Sequence, residues 1–65
     1  KIKEAIQVAV ELNVGNQERE VNGLVEAMKM ARLSVGTILT FGAEKNIKRG
    51  DFAIKVLPVW KWLLD

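Results

Sequence analysis

A nearly continuous apolar run at residues 5–12 is the stretch around which the rest of the chain is organised. The run is rich in Val and Ile and is too short for a helix of ordinary length, which is typical of a strand buried on both faces. Residues 1–4 alternate polar and apolar side chains, so we expect the strand to begin at Ile2 and to reach Leu12. The Asn- and Gly-rich residues 13–16 then indicate a loop.

A three-and-four spacing of apolar side chains follows this loop and predicts a helix over residues 17–32. Asn16 is suited to cap this helix, because its side-chain oxygen can accept a hydrogen bond from an amide of the first turn. Gly23 and Met30 lie away from the apolar stripe, so packing against a sheet does not account for the glycine. The stripe consists of Val21, Leu24, Val25, Met28 and Ala31.

A second strand is predicted at residues 37–41, which are dense in β-forming side chains. A strand, a crossover helix and a strand make a βαβ unit, in which the two strands are parallel. The predicted class is α/β, in the order strand, helix, strand, strand, short helix. A parallel βαβ core is followed by an added antiparallel hairpin.

The hairpin is predicted from two short segments, residues 45–48 and 52–57, on either side of a turn at residues 49–51. Pro58 has no amide to donate and therefore ends the ladder of strand hydrogen bonds. Proline is also well suited to the start of a helix, so residues 59–64 are predicted to form a short terminal helix.

The length of the chain, 65 residues, allows one domain at most. A chain of this size buries only about 60% of the surface that its unfolded form exposes. It has no Cys and no His, so disulfides and a structural zinc site are excluded as sources of stability. The remaining source is a second copy, in a homodimer, or the remainder of a longer chain. Because only a few residues precede the first strand, we interpret residues 1–65 as a partial domain of a longer chain.

The same sequence argues against a membrane protein. No apolar run approaches the ~20 residues of a membrane span, and there is no signal-peptide pattern. The absence of cysteine fits the cytoplasm, which is the predicted compartment. The net charge of +2 is too small to imply a nucleic-acid partner by itself.

Candidate chemistry is limited, because the usual nucleophile–base pairs need His or Cys. Gln7 and Glu11 share a face of the first strand by parity, and two oxygen-bearing groups there could bind Mg²⁺. Two polar groups near strand ends are the simpler interpretation, so no metal site is predicted. The full set of candidates is Glu4, Gln7, Glu11, Asp51 and Lys55.

The hairpin and the terminal helix carry the remaining candidates. Basic side chains on the hairpin could contact phosphates, although edge strands also carry lysines that discourage sheet-to-sheet association, and we favour that interpretation. Trp60 and Trp62 could stack on bases, but for aromatic residues beside two leucines, burial in a core or an interface is favoured. The basic group consists of Lys45, Lys48, Arg49 and Lys55.

Five segments together resemble the C-terminal PD-(D/E)xK nuclease-like domain of prokaryotic, largely archaeal, AAA-type ATPases. The resemblance covers nearly the whole chain, and its last segment is the most specific. The segments are IQV at 6–8, REV at 19–21, GLVEA at 23–27, ILT at 38–40 and VLPVWKWLL at 56–64.

This resemblance implies part of a restriction-endonuclease-like fold, at the C-terminal end of a longer chain. The family's metal-dependent site uses an Asp on one strand and a (D/E/Q)-x-K signature on the next. Gln7 fits the first signature position, whereas Ala9 stands where the lysine belongs, and the strand with the Asp would precede Lys1. That lysine activates water and stabilises charge on the phosphate, which alanine cannot do. Mg²⁺ is therefore implied only if a complete domain is an active nuclease.

Three functions follow as expectations. The first is a non-catalytic module of an ATPase with a degenerate nuclease-like fold that contacts nucleic acid. The second is a Mg²⁺-dependent nuclease in the complete protein, with Gln7 in its site and a lysine supplied from elsewhere, for which Lys55 is a candidate. The third is a purely structural oligomerisation domain in which Trp60 and Trp62 face a partner.

Overall fold

The computed structural model describes residues 4–64, which form a four-stranded mixed sheet and two helices. The α/β class is confirmed. Both arms of the hairpin are strands, so the order contains one strand more than the predicted order. The elements are β1 (Ala5–Val8), α1 (Gln17–Ala31), β2 (Val35–Thr40), β3 (Lys45–Arg49), β4 (Phe52–Pro58) and α2 (Val59–Leu64).

The strands lie in the order β1-β2-β4-β3. β1 pairs with β2 in parallel and β2 pairs with β4 in parallel, whereas β3 pairs with β4 antiparallel. The predicted parallel βαβ unit and the predicted hairpin are therefore both present. The hairpin adds to β2 through its second arm, which leaves β1 and β3 as the two edges of the sheet.

One face of the sheet packs against α1 and is called the helix face below. Its side chains and the apolar stripe of α1 form the core. Val21, Leu24, Val25 and Met28 of the predicted stripe are buried, and Ala31 is half-buried at the end of the helix. The core members contributed by the sheet side are Ala5, Ala9, Ile38, Ile47, Ile54 and Val56.

The other face, called the open face, carries the alternate residues of every strand and is only partly exposed. On the two central strands Thr37, Leu39 and Leu57 are buried. Ile6 is 42% exposed, Val8 is 65% exposed and Val35 is 54% exposed. The prediction that the first strand is buried on both faces is therefore wrong within residues 4–64. The extents of the molecule are 28 × 28 × 15 Å, and the short dimension holds the sheet and one helix layer.

The first strand is shorter than predicted. It spans Ala5–Val8 rather than residues 2–12, of which Ile2 lies outside the described residues. The Ala9 amide still donates to the Leu39 carbonyl oxygen at 2.8 Å, but the chain then leaves the sheet. Val10 and Leu12, which belong to the apolar run that predicted the strand, therefore lie beyond its end.

The start of α1 also differs from the prediction, because Asn16 makes no side-chain cap. Its Oδ1 accepts from the Asn13 amide at 2.8 Å and its Nδ2 donates to the Glu11 carbonyl oxygen at 2.7 Å. The Asn13 Oδ1 in turn accepts from the Gly15 amide at 2.8 Å. These bonds hold the loop together, so the asparagine side chains stabilise the loop and not the first turn of the helix.

The second strand begins two residues before its predicted start at residue 37 and ends at Thr40, whereas the end of β4 agrees with its prediction. Pro58 is the last residue of β4 and pairs with Thr40, so it ends the ladder as predicted. The terminal helix α2 begins at the next residue. None of the helices in residues 4–64 is both long and apolar enough to span a membrane.

Candidate functional site

Gln7, the residue at the first position of the nuclease-like signature, lies on the helix face of β1 beneath α1. Its Nε2 donates to Glu20 Oε1 at 2.6 Å and lies 3.4 Å from the Glu20 carbonyl oxygen. A Cβ atom at Gly23 would lie 3.7 Å from Gln7 Nε2. Gly23 is exposed and a Cβ there would make only an ordinary contact, so close packing does not account for this glycine, as predicted.

Ala9 occupies the lysine position of the signature and is buried on the helix face. Its methyl group offers no metal ligand and no proton donor. The Glu20 carboxylate is engaged on both sides, because Oε1 accepts from Gln7 and Oε2 lies 4.0 Å from Arg19 Nε. Among residues 4–64 there is no group of three or more acidic, His or Cys side chains that could hold a metal ion.

The other candidate carboxylates lie elsewhere. Glu11 is in the loop after β1, where it accepts from Asn13 Nδ2 at 3.2 Å, so it does not share a strand face with Gln7. Glu4 precedes β1 on the open face, where Thr37 Oγ1 donates to its carboxylate at 3.2 Å. Asp51 is exposed in the hairpin turn. The structure does not gather these groups into one site.

The four basic residues of the hairpin are divided between the two faces of the sheet. Lys45 and Arg49 alternate with Ile47 and so lie on the helix face, whereas Lys48 and Lys55 lie on the open face. The predicted basic group is therefore not one surface.

The two helix-face cations are held by the first turn of α1. Lys45 Nζ donates to Gln17 Oε1 at 2.9 Å, and Arg49 forms an ion pair with Glu18. These contacts connect an edge strand to the start of the helix. Among the described residues, Lys48 Nζ and Lys55 Nζ form no hydrogen bond or ion pair, so they are the hairpin cations available to a partner.

The two tryptophans lie on α2, outside the core of residues 4–64. Trp60 is 60% exposed and Trp62 is 37% exposed. Lys61 Nζ lies 2.5 Å from Glu44 Oε2, which connects α2 to the loop before β3. Helix α2 contacts β2 and β4. Of the two alternatives for the tryptophans, burial in this core is wrong, and burial in an interface stays a prediction.

Sequence reasoning missed a cleft of about 390 Å³ at the carboxyl ends of β1 and β2. Its walls include Val10, Leu12 and Phe41. Apolar residues just beyond the predicted strand ends were the sequence feature that could have indicated this cleft. The Thr40 hydroxyl at its base donates to the Ala43 carbonyl oxygen and accepts from the Ala43 amide, so it is satisfied locally. Glu11 is the charged residue of the lining, so the cleft has one ionic side chain and not a converging set that would orient a small ligand.

Comparison with known proteins finds one relative. The chain is 38% identical over 68 aligned residues to Uncharacterized protein MJ1544 of Methanocaldococcus jannaschii. The match covers 95% of this chain and 15% of that protein, so the chain spans a small part of its archaeal relative. No protein-family model matches the chain, and no solved structure matches it. The restriction-endonuclease-like fold and the link to an ATPase stay predictions.

Proposed function

We propose that this chain is a non-catalytic, protein-binding module with a degenerate nuclease-like fold that works as part of a larger ATPase. The observation that carries the proposal is the pairing of Gln7 Nε2 with Glu20 Oε1 at 2.6 Å, next to the buried Ala9. The match to a small part of a much longer archaeal relative supports the idea of a module.

The chemistry of phosphodiester cleavage explains why this geometry favours binding over catalysis. A metal-dependent nuclease needs oxygen ligands around the ion and a group that positions or activates water. At this position the amide of Gln7 is already hydrogen-bonded to Glu20, and Ala9 has no group that could act on water. At these two positions the group that would act on water is therefore missing.

The open face supports a protein as the partner. Ile6 and Val8 are exposed there on β1, and Val35 is exposed at the start of β2, diagonally across from Ile6. A monomeric protein seldom exposes a contiguous apolar patch larger than a few hundred Å² unless it has a binding role. Nucleic acid is a less suitable partner, because the cations of the hairpin are divided between two faces and half of them are paired.

The nuclease alternative is tested by cleavage of plasmid and single-stranded DNA with Mg²⁺ or Mn²⁺. We expect the chain to produce no more cleavage than its Gln7→Ala variant. Gln17→Ala is the matched control, since it makes the same substitution at the start of α1, outside the signature. Metal-dependent cleavage that Gln7→Ala abolishes and Gln17→Ala retains would contradict the proposal and support the nuclease.

Contact with nucleic acid is tested by the fluorescence anisotropy of a labelled 20-base-pair duplex at physiological salt. We expect a Kd no tighter than the non-specific range of about 10⁻⁴–10⁻⁶ M. We expect Lys48→Ala and Lys45→Ala to have equally small effects. Tight binding that Lys48→Ala weakens, with a salt slope lowered by about 0.9, would instead assign the open face to nucleic acid.

A further inference from the structure

We propose that the open face binds the open face of a second copy of this chain, in a two-fold dimer that places Glu4 of each copy against Lys48 of the other. The inference rests on the proposed function, because it names the partner of the binding module. Three observations carry it: the exposed apolar residues of that face, its distribution of charge and the small size of the domain.

The end of the open face where β2 begins exposes an apolar residue beside a groove. Val35 projects from β2, and its neighbour in the register on β4 is the small residue Ala53. A groove of about 290 Å³ lies beside them, between Val35 and the side chains of Lys48 and Lys55. In a two-fold dimer the same patch of both copies forms the contact, so each copy can place its valine over the partner's alanine.

The charges of the open face are separated from one edge of the sheet to the other. Glu4 stands at the β1 edge, where its carboxylate accepts from Thr37 Oγ1. Lys48 stands at the β3 edge, opposite Ala53, and Lys55 lies diagonally from it on β4, opposite Asn46. The face is therefore acidic at one edge and basic at the other.

This separation selects one relative orientation of the two copies. A two-fold axis that lies in the interface and runs along the strands brings β1 of one copy over β3 of the other, so Glu4 meets Lys48 twice. An axis across the strands would bring β3 over β3 and would juxtapose the lysines. Like charges across an interface are strongly unfavourable, so the first orientation is the one that we infer.

Pairing of the two β1 edges into a continuous sheet is a poorer solution. Such a sheet would keep both α1 helices on one side and both open faces on the other, so Ile6 and Val35 would stay exposed. Face-to-face packing removes both from water. It also supplies a source of stability for a 65-residue chain that has neither Cys nor His.

The first test measures the mass of the 65-residue chain by sedimentation velocity at micromolar concentrations. We expect twice the monomer mass of 7.3 kDa. Val35→Asp should weaken the dimer by about a hundredfold or more, since the two-fold buries two unpaired carboxylates. Met30→Asp, which changes an exposed apolar residue of α1, is the matched control and should leave the dimer intact. Circular dichroism checks that both variants fold.

The second test exchanges the charges. Glu4→Lys and Lys48→Glu should each weaken the dimer by roughly tenfold, because each places like charges together. The double variant Glu4→Lys/Lys48→Glu should restore association to nearly that of the unaltered chain. Recovery of this kind reports a direct contact between the two positions, which a general loss of stability would not produce.

Three results would overturn the inference: a folded monomer at 100 µM, a dimer that Val35→Asp does not weaken, or a double variant no better than the single ones. A dimer that is insensitive to Val35→Asp but is lost with Trp60→Ala would assign the interface to α2. None of these results bears on the proposed absence of catalysis, which fails only if the chain cleaves DNA.

Discussion

Met28→Ala is expected to lower the free energy of unfolding by about 2–5 kcal/mol. Met28 is 0% exposed and lies between α1 and the sheet, within reach of Gly36 on β2. Alanine there removes apolar contact area and leaves a cavity that the surrounding core fills only in part. Small domains have total stabilities near the lower end of about 5–15 kcal/mol, so this loss is a large fraction of the whole.

Met30→Ala is the matched control, since it removes the same atoms two residues away on the same helix. Met30 is 88% exposed, and its replacement should change the stability by no more than about 0.5 kcal/mol. Urea unfolding followed by circular dichroism measures both variants, at one protein concentration because association adds to apparent stability. Equal losses at the two positions would show that α1 does not pack with the orientation described.

Gly36→Ala is expected to cost about 1–3 kcal/mol, which is the second large effect. A Cβ atom on Gly36 would lie 2.7 Å from Met28 Sδ and 3.1 Å from Leu24 Cδ2. Backbone strain is not the cause, because among the described glycines the one with positive φ is Gly50 and not Gly36. The cost comes from packing. The absent side chain at Gly36 is therefore what allows α1 to approach β2 closely.

The double variant Met28→Ala/Gly36→Ala separates this explanation from a general weakening of β2. The new Cβ would occupy space that the methionine vacates, so the combined loss should be smaller than the sum by about 1 kcal/mol or more. Gly42→Ala is the control, because a Cβ there meets no atom within 4 Å. Strict additivity, or an equal loss from Gly42→Ala, would refute the close approach.

The same contact between α1 and the sheet determines what the candidate site can do. It places Glu20 over Gln7 and covers Ala9, so both residues face the helix. The chemistry of the site thus depends on a contact between residues far apart in sequence. A signature in the sequence identified the position of Gln7 but not its partner.

Features that depend on neighbouring residues were predictable. The stripe Val21, Leu24, Val25 and Met28 predicts α1 because a helix with one apolar side is defined by local periodicity. The hairpin follows from its turn, where Gly50 adopts a φ of 58° that favours glycine. Pro58 marks the end of β4 because it lacks an amide. Each of these signals acts within a few residues.

The tertiary structure alone decided which faces are covered and which side chains meet. Alternation along a strand shows that Ile6 and Gln7 point to opposite faces, but not which face α1 covers. Long-range packing alone joins Gln7 to Glu20 and brings Lys45 and Arg49 to the first turn of α1. A local pattern specifies how an element presents its side chains, whereas burial and pairing depend on what the folded chain brings against it. The sequence therefore determined the helices, the hairpin and the α/β class, and the structure decided the pairing of Gln7 with Glu20 and the exposure of Ile6, Val8 and Val35.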